Sequence, residues 1–485
     1  AALRSLWENS CGSSTLLGRT MRLVNMVNDI NNKKNALKKN ESLNILISKI
    51  DDLSQSNNKN ELLKYIKELH NADIADIIQN LEENKRTNFI NIIKDTFDPE
   101  ILTYLNESLK EEIIEILDIK QLASKASELD VDDAVDVVED LEESDQKVFL
   151  SNVSENERKL IQEGLNFPED SAGRLMQRKF VAVNTKWTVG NTIDYMRKET
   201  SNLPEDFYDI FLINDNNVIK GIVPLGRLMS SERNINLEAI KNKDTRKINV
   251  LMDQEEVAFQ FNKYAMVSAP VVDENNIVIG SITVDDVVDV IEEEREEDIL
   301  KLGGVGQADI YDAVIDTTKL RFSWLLVNLL TAIVASIVIG FFQASIEKVV
   351  ALAVLMPIVA SMGGNAGTQT LTVSVRALAT KELTTKNALR IIIKEVFVGG
   401  INGLIFALLV GILSSYWFED SLLGIVIALA MVLNLIVAGL SGTLIPITLN
   451  KLKIDPALAS GVILTTITDV FGFLSFLGLA SIFII

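Results

Sequence analysis

An aspartate in the middle of an apolar run is the residue in this chain best placed to do chemistry. Asp469 lies in LTTITDVFGFL, residues 464–474, inside the last long apolar segment, about Pro456 to Ile485. The nearest other charge is Asp455, at that segment's start. A carboxylate at membrane depth costs roughly 3 kcal/mol or more, so it faces a bundle interior or a watery path, with a partner. Gly461, Thr465 and Asp469 recur every four residues, which makes one small, polar helix stripe ending in an acid. Oxygens on such a stripe can replace or hydrogen-bond a cation's water shell, and the acid supplies the charge. Close helix packing is the plainer reading for Gly461 and Gly439, but it does not account for Asp469. Glu395 also lies in an apolar segment, but near its end and beside Lys394, the setting of an interfacial ion pair.

A second concentration of chemistry is Asp285–Asp298, DDVVDVIEEEREED, in which nine of fourteen residues are acidic and Arg295 is the only base. Like charges three or four apart on a helix repel by a few tenths of a kcal/mol each, so this helix is strained unless cations occupy it. A solubilising helix end is the bland alternative. Asp132 and Asp136 stand at i and i+4 on another helix face, where a solvated surface is the competing reading. One Cys (Cys11) and one His (His70) exclude a disulfide framework and the common Cys/His zinc patterns. Any metal must be held by oxygen ligands, which suits Mg²⁺, Ca²⁺ or Mn²⁺. The sole His also removes any nucleophile–His arrangement, and a catalytic carboxylate pair deep in the bilayer is missing, so an enzyme is not expected.

These groups are positioned by a chain of 485 residues, too long for one core. From Leu320 on there are 9 Lys+Arg and 7 Asp+Glu, leaving 37 basic against 60 acidic residues in 1–319. The first two-thirds thus carries −23 and the last third +2. Such an acidic region repels nucleic acid and anionic lipid and attracts cations. Residues 1–39 match the rest poorly in composition and read as an extension, disordered or artificially appended. An acidic helical domain follows at 40–170, with apolar positions at helical spacing. Within it, Glu68–Glu83 (ELHNADIADIIQNLEE) and Glu128–Glu143 (ELDVDDAVDVVEDLEE) repeat at a spacing of 60 residues, the mark of a small superhelical array.

Two copies of a strand-and-helix pattern come next, at 171–230 and 231–300. Each has two short strands around an Asn-rich turn, DNN or ENN. They resemble a tandem pair of CBS domains, and PVVDENNIVIGSITVDDVVDV carries the likeness most specifically. Such pairs are regulatory and often bind adenine nucleotides, which makes ATP a candidate ligand. A connector at 301–320 leads to a membrane domain at 321–485.

Five segments there are long enough to span a bilayer: about 322–342, 349–375, 388–418, 422–449 and 456–485. Arg376, Lys381, Lys386 and Arg390, with Lys451 and Lys453, lie in the second-to-third and fourth-to-fifth connections, and positive loops stay inside. The acidic N-terminal part is therefore expected in the cytoplasm and the C-terminus outside. Pro357 and SMGGNAGTQT predict a broken second span, tolerated only against protein or a water-filled cavity.

An acidic helical domain, a CBS pair, a connector and five spans together resemble the MgtE family of magnesium channels. The likeness covers about residues 40–485. EDSAGRLM from Glu169, DQEEVA from Asp253, TVDDVVDVIEEE, PIVASMGGNAGTQ from Pro357, RALAT from Arg376 and DPAL…TTITD up to Asp469 carry it. The resemblance implies a homodimer in a bacterial-type cytoplasmic membrane, selective for Mg²⁺ and closed by cytosolic Mg²⁺. By position, it places the selectivity acid at Asp469 and sensor carboxylates at Asp132, Asp136, Asp253, Glu255, Asp286, Asp289, Glu294, Glu297, Asp298 and Asp455. The chain departs from the family pattern at Tyr264–Ala265, where an acid commonly follows the Tyr. The fold expected is thus a multi-domain membrane protein: an all-α five-helix transmembrane domain, a cytoplasmic α-helical superhelical domain and α/β tandem CBS domains. Rivals are a membrane-tethered CBS nucleotide sensor without a pore, a CBS-bearing anion channel, which the acidic stripe disfavours, and a CBS-bearing exporter, in which the membrane block would come first.

Overall fold

The computed structural model describes residues 46–50, 59–125, 129–199, 203–204, 206–305, 314–384 and 386–484. The extension at 1–39, Glu128 at the head of the second repeat copy, and connector residues 306–313 lie outside the described residues. The chain divides into two compact units. One holds residues up to Met252 together with Ala269–Ile282, and the other holds Asp253–Ser268 together with Thr283–Ile485.

The first unit begins with short helices: α1 (Lys59–Ile66), α2 (Asn71–Asn80), α3 (Glu83–Ile93), α4 (Glu107–Ile116), α5 (Ile119–Ser124), α6 (Val131–Glu139), α7 (Glu143–Asn152) and α8 (Glu155–Leu165). The sequence repeat appears as two matching helix pairs, α2–α3 and α6–α7. Ile74, Ile77 and Ile78 of α2 and Ala134, Val137 and Val138 of α6 repeat at helical spacing and are buried in one core with Phe89, Leu102 and Phe149. Ser154 and Glu157 close a capping box at the start of α8.

The first strand module is β1 (Ala182–Asn184), α9 (Val189–Lys198), β2 (Asp209–Ile213) and β3 (Ile219–Pro224), followed by α10 (Leu225–Met229) and α11 (Leu237–Ile240). β1 pairs parallel and β3 antiparallel with β2. β4 (Ile248–Asn249), β5 (Ser268–Val272) and β6 (Val278–Thr283) form a second three-stranded sheet in that order. Asn217 and Asn276, in the two Asn-rich turns, hold φ of 58° and 61°, the left-handed region that Asn tolerates. Val218 and Ile277, beside those turns, bridge to one another.

In the second unit α12 (Gln254–Tyr264) ends on Ala265 at φ 49°, and α13 (Val284–Gly303) is one continuous acidic helix. The remaining elements are α14 (Val314–Gly340), α15 (Gln343–Lys348), α16 (Ala351–Ala379), α17 (Ala388–Phe418), α18 (Ser421–Lys451) and α19 (Pro456–Phe483). All but α15 are long and apolar enough to cross a membrane. Residues 314–319 are the opening turns of α14 itself, and residues 301–303 close α13. Large apolar side chains such as Leu325, Leu329 and Ile333 on α14, and Ile401, Leu404 and Leu408 on α17, stay exposed, as a lipid-facing surface requires.

The expectation of a broken second span is corrected. α16 runs unbroken through Pro357 and SMGGNAGTQT. Its glycines admit neighbouring helices instead of ending the helix. A Cβ at Gly363 would collide with Asn434 Nδ2, and one at Gly367 would stand 2.9 Å from a Leu464 methyl. Small residues serve the same purpose between α17 and α18, where a Cβ at Gly399 would collide with the Leu435 carbonyl and one at Gly439 would lie 2.6 Å from the Glu395 carbonyl.

Candidate functional site

Asp469 lies in the middle of α19, half-buried. No Lys or Arg occurs in that helix. One turn earlier Thr465 donates its hydroxyl to the Gly461 and Val462 carbonyls, both at 3.1 Å. Its donor is thus used within the helix while its lone pairs remain able to accept. Within this chain a Cβ at Gly461 would meet nothing within 4 Å, whereas one at Gly439 would lie 2.6 Å from the Glu395 carbonyl, a close helix contact.

A second polar surface was legible only as a run of polar letters. Ser361, Asn365, Thr368 and Thr372 are all exposed on α16 and fall at spacings of four, three and four, one face of the helix. Asn365 Nδ2 lies 3.4 Å from Ser361 Oγ, and the Thr372 hydroxyl donates to the Thr368 carbonyl at 2.9 Å. As with Thr465 on α19, the Thr372 donor is spent within the helix, and the side-chain oxygens of this face keep lone pairs able to accept. The water shell of a cation points its hydrogens outward, so acceptors are what a hydrated cation needs. Glu395 accepts from Thr370 at 3.5 Å and pairs with Lys394 at 3.1 Å, the interfacial pairing its neighbour predicts.

The carboxylates expected to sense the ion fall into separate groups. Asp132 and Asp136 stand on α6 in the first unit. Lys110, buried on α4, donates to Asp136 at 2.7 Å and Asp140 at 3.0 Å. Burial opposes the Lys110 charge, but the two carboxylates outweigh it and raise its pKa above the ordinary lysine range.

The other expected sensors stand on α12, α13 and the start of α19. Three of them are helix caps. Asp253 accepts from the Glu255 amide at 2.9 Å, Asp455 accepts from the Ala457 amide at 2.8 Å, and Asp286 accepts from the Thr283 amide and hydroxyl. Capping engages part of a carboxylate and leaves lone pairs for a cation. Glu255 is pushed up to about 7, first by burial and then by the neighbouring charges of Glu294, Asp253 and Asp298. Asp286 rises to about 6, chiefly through burial. Asp289 is raised by burial, then Glu292 and Asp285, and Asp298 by burial, then Asp455. Crowded carboxylates that resist ionisation form an all-oxygen donor set, the kind that suits a hard divalent cation. Among the described residues, however, no three Asp, Glu, His or Cys side chains stand close enough to enclose an ion. Binding through retained water fits this spacing better than a tight cage.

Two lysines tie α12 and α13 to the membrane block. Lys301 Nζ lies 2.5 Å from Glu297 Oε1 and 2.8 Å from Asp455 Oδ2, bridging α13 to the start of the last span. Its neighbour Leu302 packs on Leu371, Val375, Ala457 and Leu464. Lys381, in the α16–α17 connection, pairs with Glu256 and sits 4.1 Å from the centre of the Phe259 ring. Nothing in the sequence signalled either contact. Asp469 stands fourteen residues beyond Asp455 on one helix, about 21 Å along the axis. Asp455 and the intramembrane acid therefore cannot hold one ion between them.

Five spans, an intramembrane acid and acidic helices fastened to the membrane block define a multi-pass membrane protein of the cation-transporter class. A divalent cation transporter model, MgtE, matches residues 356–479, the MgtE intracellular N domain matches 69–170, and a CBS domain matches 238–293. The magnesium transporter MgtE of Bacillus subtilis is 30% identical over 440 residues, 90% of this chain and 97% of that protein. The magnesium transporter MgtE of Thermus thermophilus is 31% identical over 438 residues, 89% of this chain and 97% of that protein. Among solved structures, the soluble part of a magnesium transporter aligns at 24% identity and a TM-score of 0.46, over 52% of this chain and 99% of that one. The chain belongs to the MgtE family of magnesium transporters.

Proposed function

We propose that this chain carries Mg²⁺ into the cell across the cytoplasmic membrane as a two-fold homodimer, and that cytosolic Mg²⁺ bound to its acidic helices closes the path. The observation that carries the reading is Asp469, a half-buried carboxylate at mid-span with no base on its helix. An isologous interface repeats the same patch, so a two-fold axis beside α19 brings two Asp469 side chains together. Mg²⁺ sheds water reluctantly and is held through one or two carboxylates with several waters kept. The acceptor-rich faces of α16 and α19 suit such a hydrated ion. The basic loops, with Lys381 and Lys451, set the N-terminal domains on the cytoplasmic side.

Closure follows from charge. Without Mg²⁺ the carboxylates of α12, α13 and Asp455 repel one another. Each ion that binds relieves repulsion felt by the rest, so several weak sites act cooperatively. Lys301 and Leu302 are where α13 meets the cytoplasmic end of α19, and Mg²⁺ at Glu297, Asp298 and Asp455 strengthens that seat. Asp469→Asn tests the pore. Purified variant in liposomes is expected to lose Mg²⁺ uptake, and full retention of uptake sinks the reading.

A further inference from the structure

α18 carries a side chain that the transport reading does not use. Asn434 is fully buried near the middle of that helix. Its Nδ2 donates to the Val359 carbonyl of α16 at 2.8 Å, while its Oδ1 has no hydrogen-bond partner among the described residues. Two glycines make room for the amide. A Cβ at Gly363 would collide with Nδ2, and one at Gly472 would stand 2.8 Å from it. Three helices therefore meet on one side chain. Gly363 lies within the α16 stretch that presents Ser361 and Asn365. Gly472 lies three residues past Asp469, one turn along α19.

Leu has nearly the shape of Asn and would fill this space without an unpaired acceptor, so packing alone does not call for an amide. What Asn adds is a directional bond to α16 two residues beyond Pro357. Proline removes one helix hydrogen bond and loosens the turn before it. The Asn434 bond pins α16 just past that weak point.

We propose that Asn434 is a positioning residue for transport: its amide sets the spacing between the polar face of α16 and the turn of α19 that bears Asp469. That spacing fixes the width offered to a hydrated ion, and so favours Mg²⁺, which keeps its waters, over Ca²⁺, which exchanges them readily and accepts irregular coordination. The proposal rests on Asp469 lining the path.

The test compares three variants in proteoliposomes, reading the ratio of Mg²⁺ to Ca²⁺ uptake alongside thermal melting of the purified protein. Asn434→Leu is expected to melt near the parent while its uptake ratio falls, by up to about a hundredfold if the site is misplaced by about 1 Å. Gly472→Ala, whose new methyl collides with the amide, is expected to melt lower. Asn434→Ala/Gly472→Ala removes the collision and refills part of the space, and is expected to recover part of that melting loss but not the ratio. A folded Asn434→Leu with the parent's ratio overturns the proposal. If Asn434→Leu does not fold, a double variant with the parent's ratio overturns it, and failure of both to fold makes Asn434 a structural residue only. Asp469→Asn separates the two claims. If that variant transports, the path reading fails; if it is silent and the ratios are unchanged, the Asn434 proposal alone fails.

Discussion

Lys301→Met removes an ammonium and keeps most of the side chain's length, so it isolates the charge that bridges α13 to the last span. The three partners, Lys301, Glu297 and Asp455, have side chains 22%, 31% and 34% exposed, so solvent screens them only in part. An exposed ion pair contributes about 0.2–1 kcal/mol, and two pairs sharing one partly buried ammonium contribute about 1–2 kcal/mol together. Removing the lysine also leaves Glu297, Asp298 and Asp455 facing each other, with Asp298 already resisting ionisation through burial and Asp455. A loss near 1.4 kcal/mol is about tenfold in the seating equilibrium of α13. Closure then needs more Mg²⁺ to supply the missing charge, and because two or three ions act together the Mg²⁺ midpoint is expected to rise by about two- to threefold, the square or cube root of that factor. Current from excised patches, with cytosolic-side Mg²⁺ stepped, reads that midpoint. Hydrogen exchange of residues 297–303 follows the seat itself and should quicken at low Mg²⁺. An unchanged midpoint refutes the tether. A lower midpoint refutes it differently, by showing that the ammonium competes with Mg²⁺ for the same carboxylates.

Two further outcomes are expected. Glu255, held up to about 7 from an ordinary 4.5, binds protons in the folded protein at pH values where the unfolded chain does not. In Mg²⁺-free solution its contribution to stability is therefore greatest below about pH 4.5 and is lost as pH rises towards 7. Because Mg²⁺ needs the ionised form, lowering pH from 8 to 6 should raise the Mg²⁺ required for closure, and Glu255→Gln should flatten that dependence. A parent-like pH dependence in the variant removes Glu255 from the sensor. Lys110→Met leaves Asp136 and Asp140 without their cation. Breaking such a pair costs several kcal/mol when fully buried, and about 2 kcal/mol here, where Asp136 is half exposed. Thermal melting should fall measurably, and an unchanged melt contradicts the pairing.

Much of this architecture was legible because it is written in local pattern. Runs of apolar residues mark the five spans to within a few positions. Asn217 and Asn276 announced the two tight turns, and Lys394 beside Glu395 announced their pairing. Asp469 stood out because nothing near it in sequence offsets its charge. What escaped was whatever depends on a partner far along the chain. Glycines and a proline in α16 predict a break when read locally, yet Gly363 and Gly367 are shaped by Asn434 and Leu464 arriving from other helices. Nothing local to Lys301 points to Asp455, 154 residues later, yet the two lie 2.8 Å apart. Asp253, Asp286 and Asp455 read only as acids, although each also caps a helix. Asn434 was a single polar letter in a long apolar run, and its weight comes from the three helices that converge on it.

The central claim is tested most directly by electrical recording from the reconstituted full chain, with Mg²⁺ as charge carrier and cytosolic-side Mg²⁺ stepped from near zero to about 10 mM, the range in which weak carboxylate sites fill. The account predicts a Mg²⁺ current that shuts as cytosolic Mg²⁺ rises and is absent in Asp469→Asn. A current that ignores cytosolic Mg²⁺ contradicts the sensor, and no Mg²⁺ current at any concentration contradicts the pore.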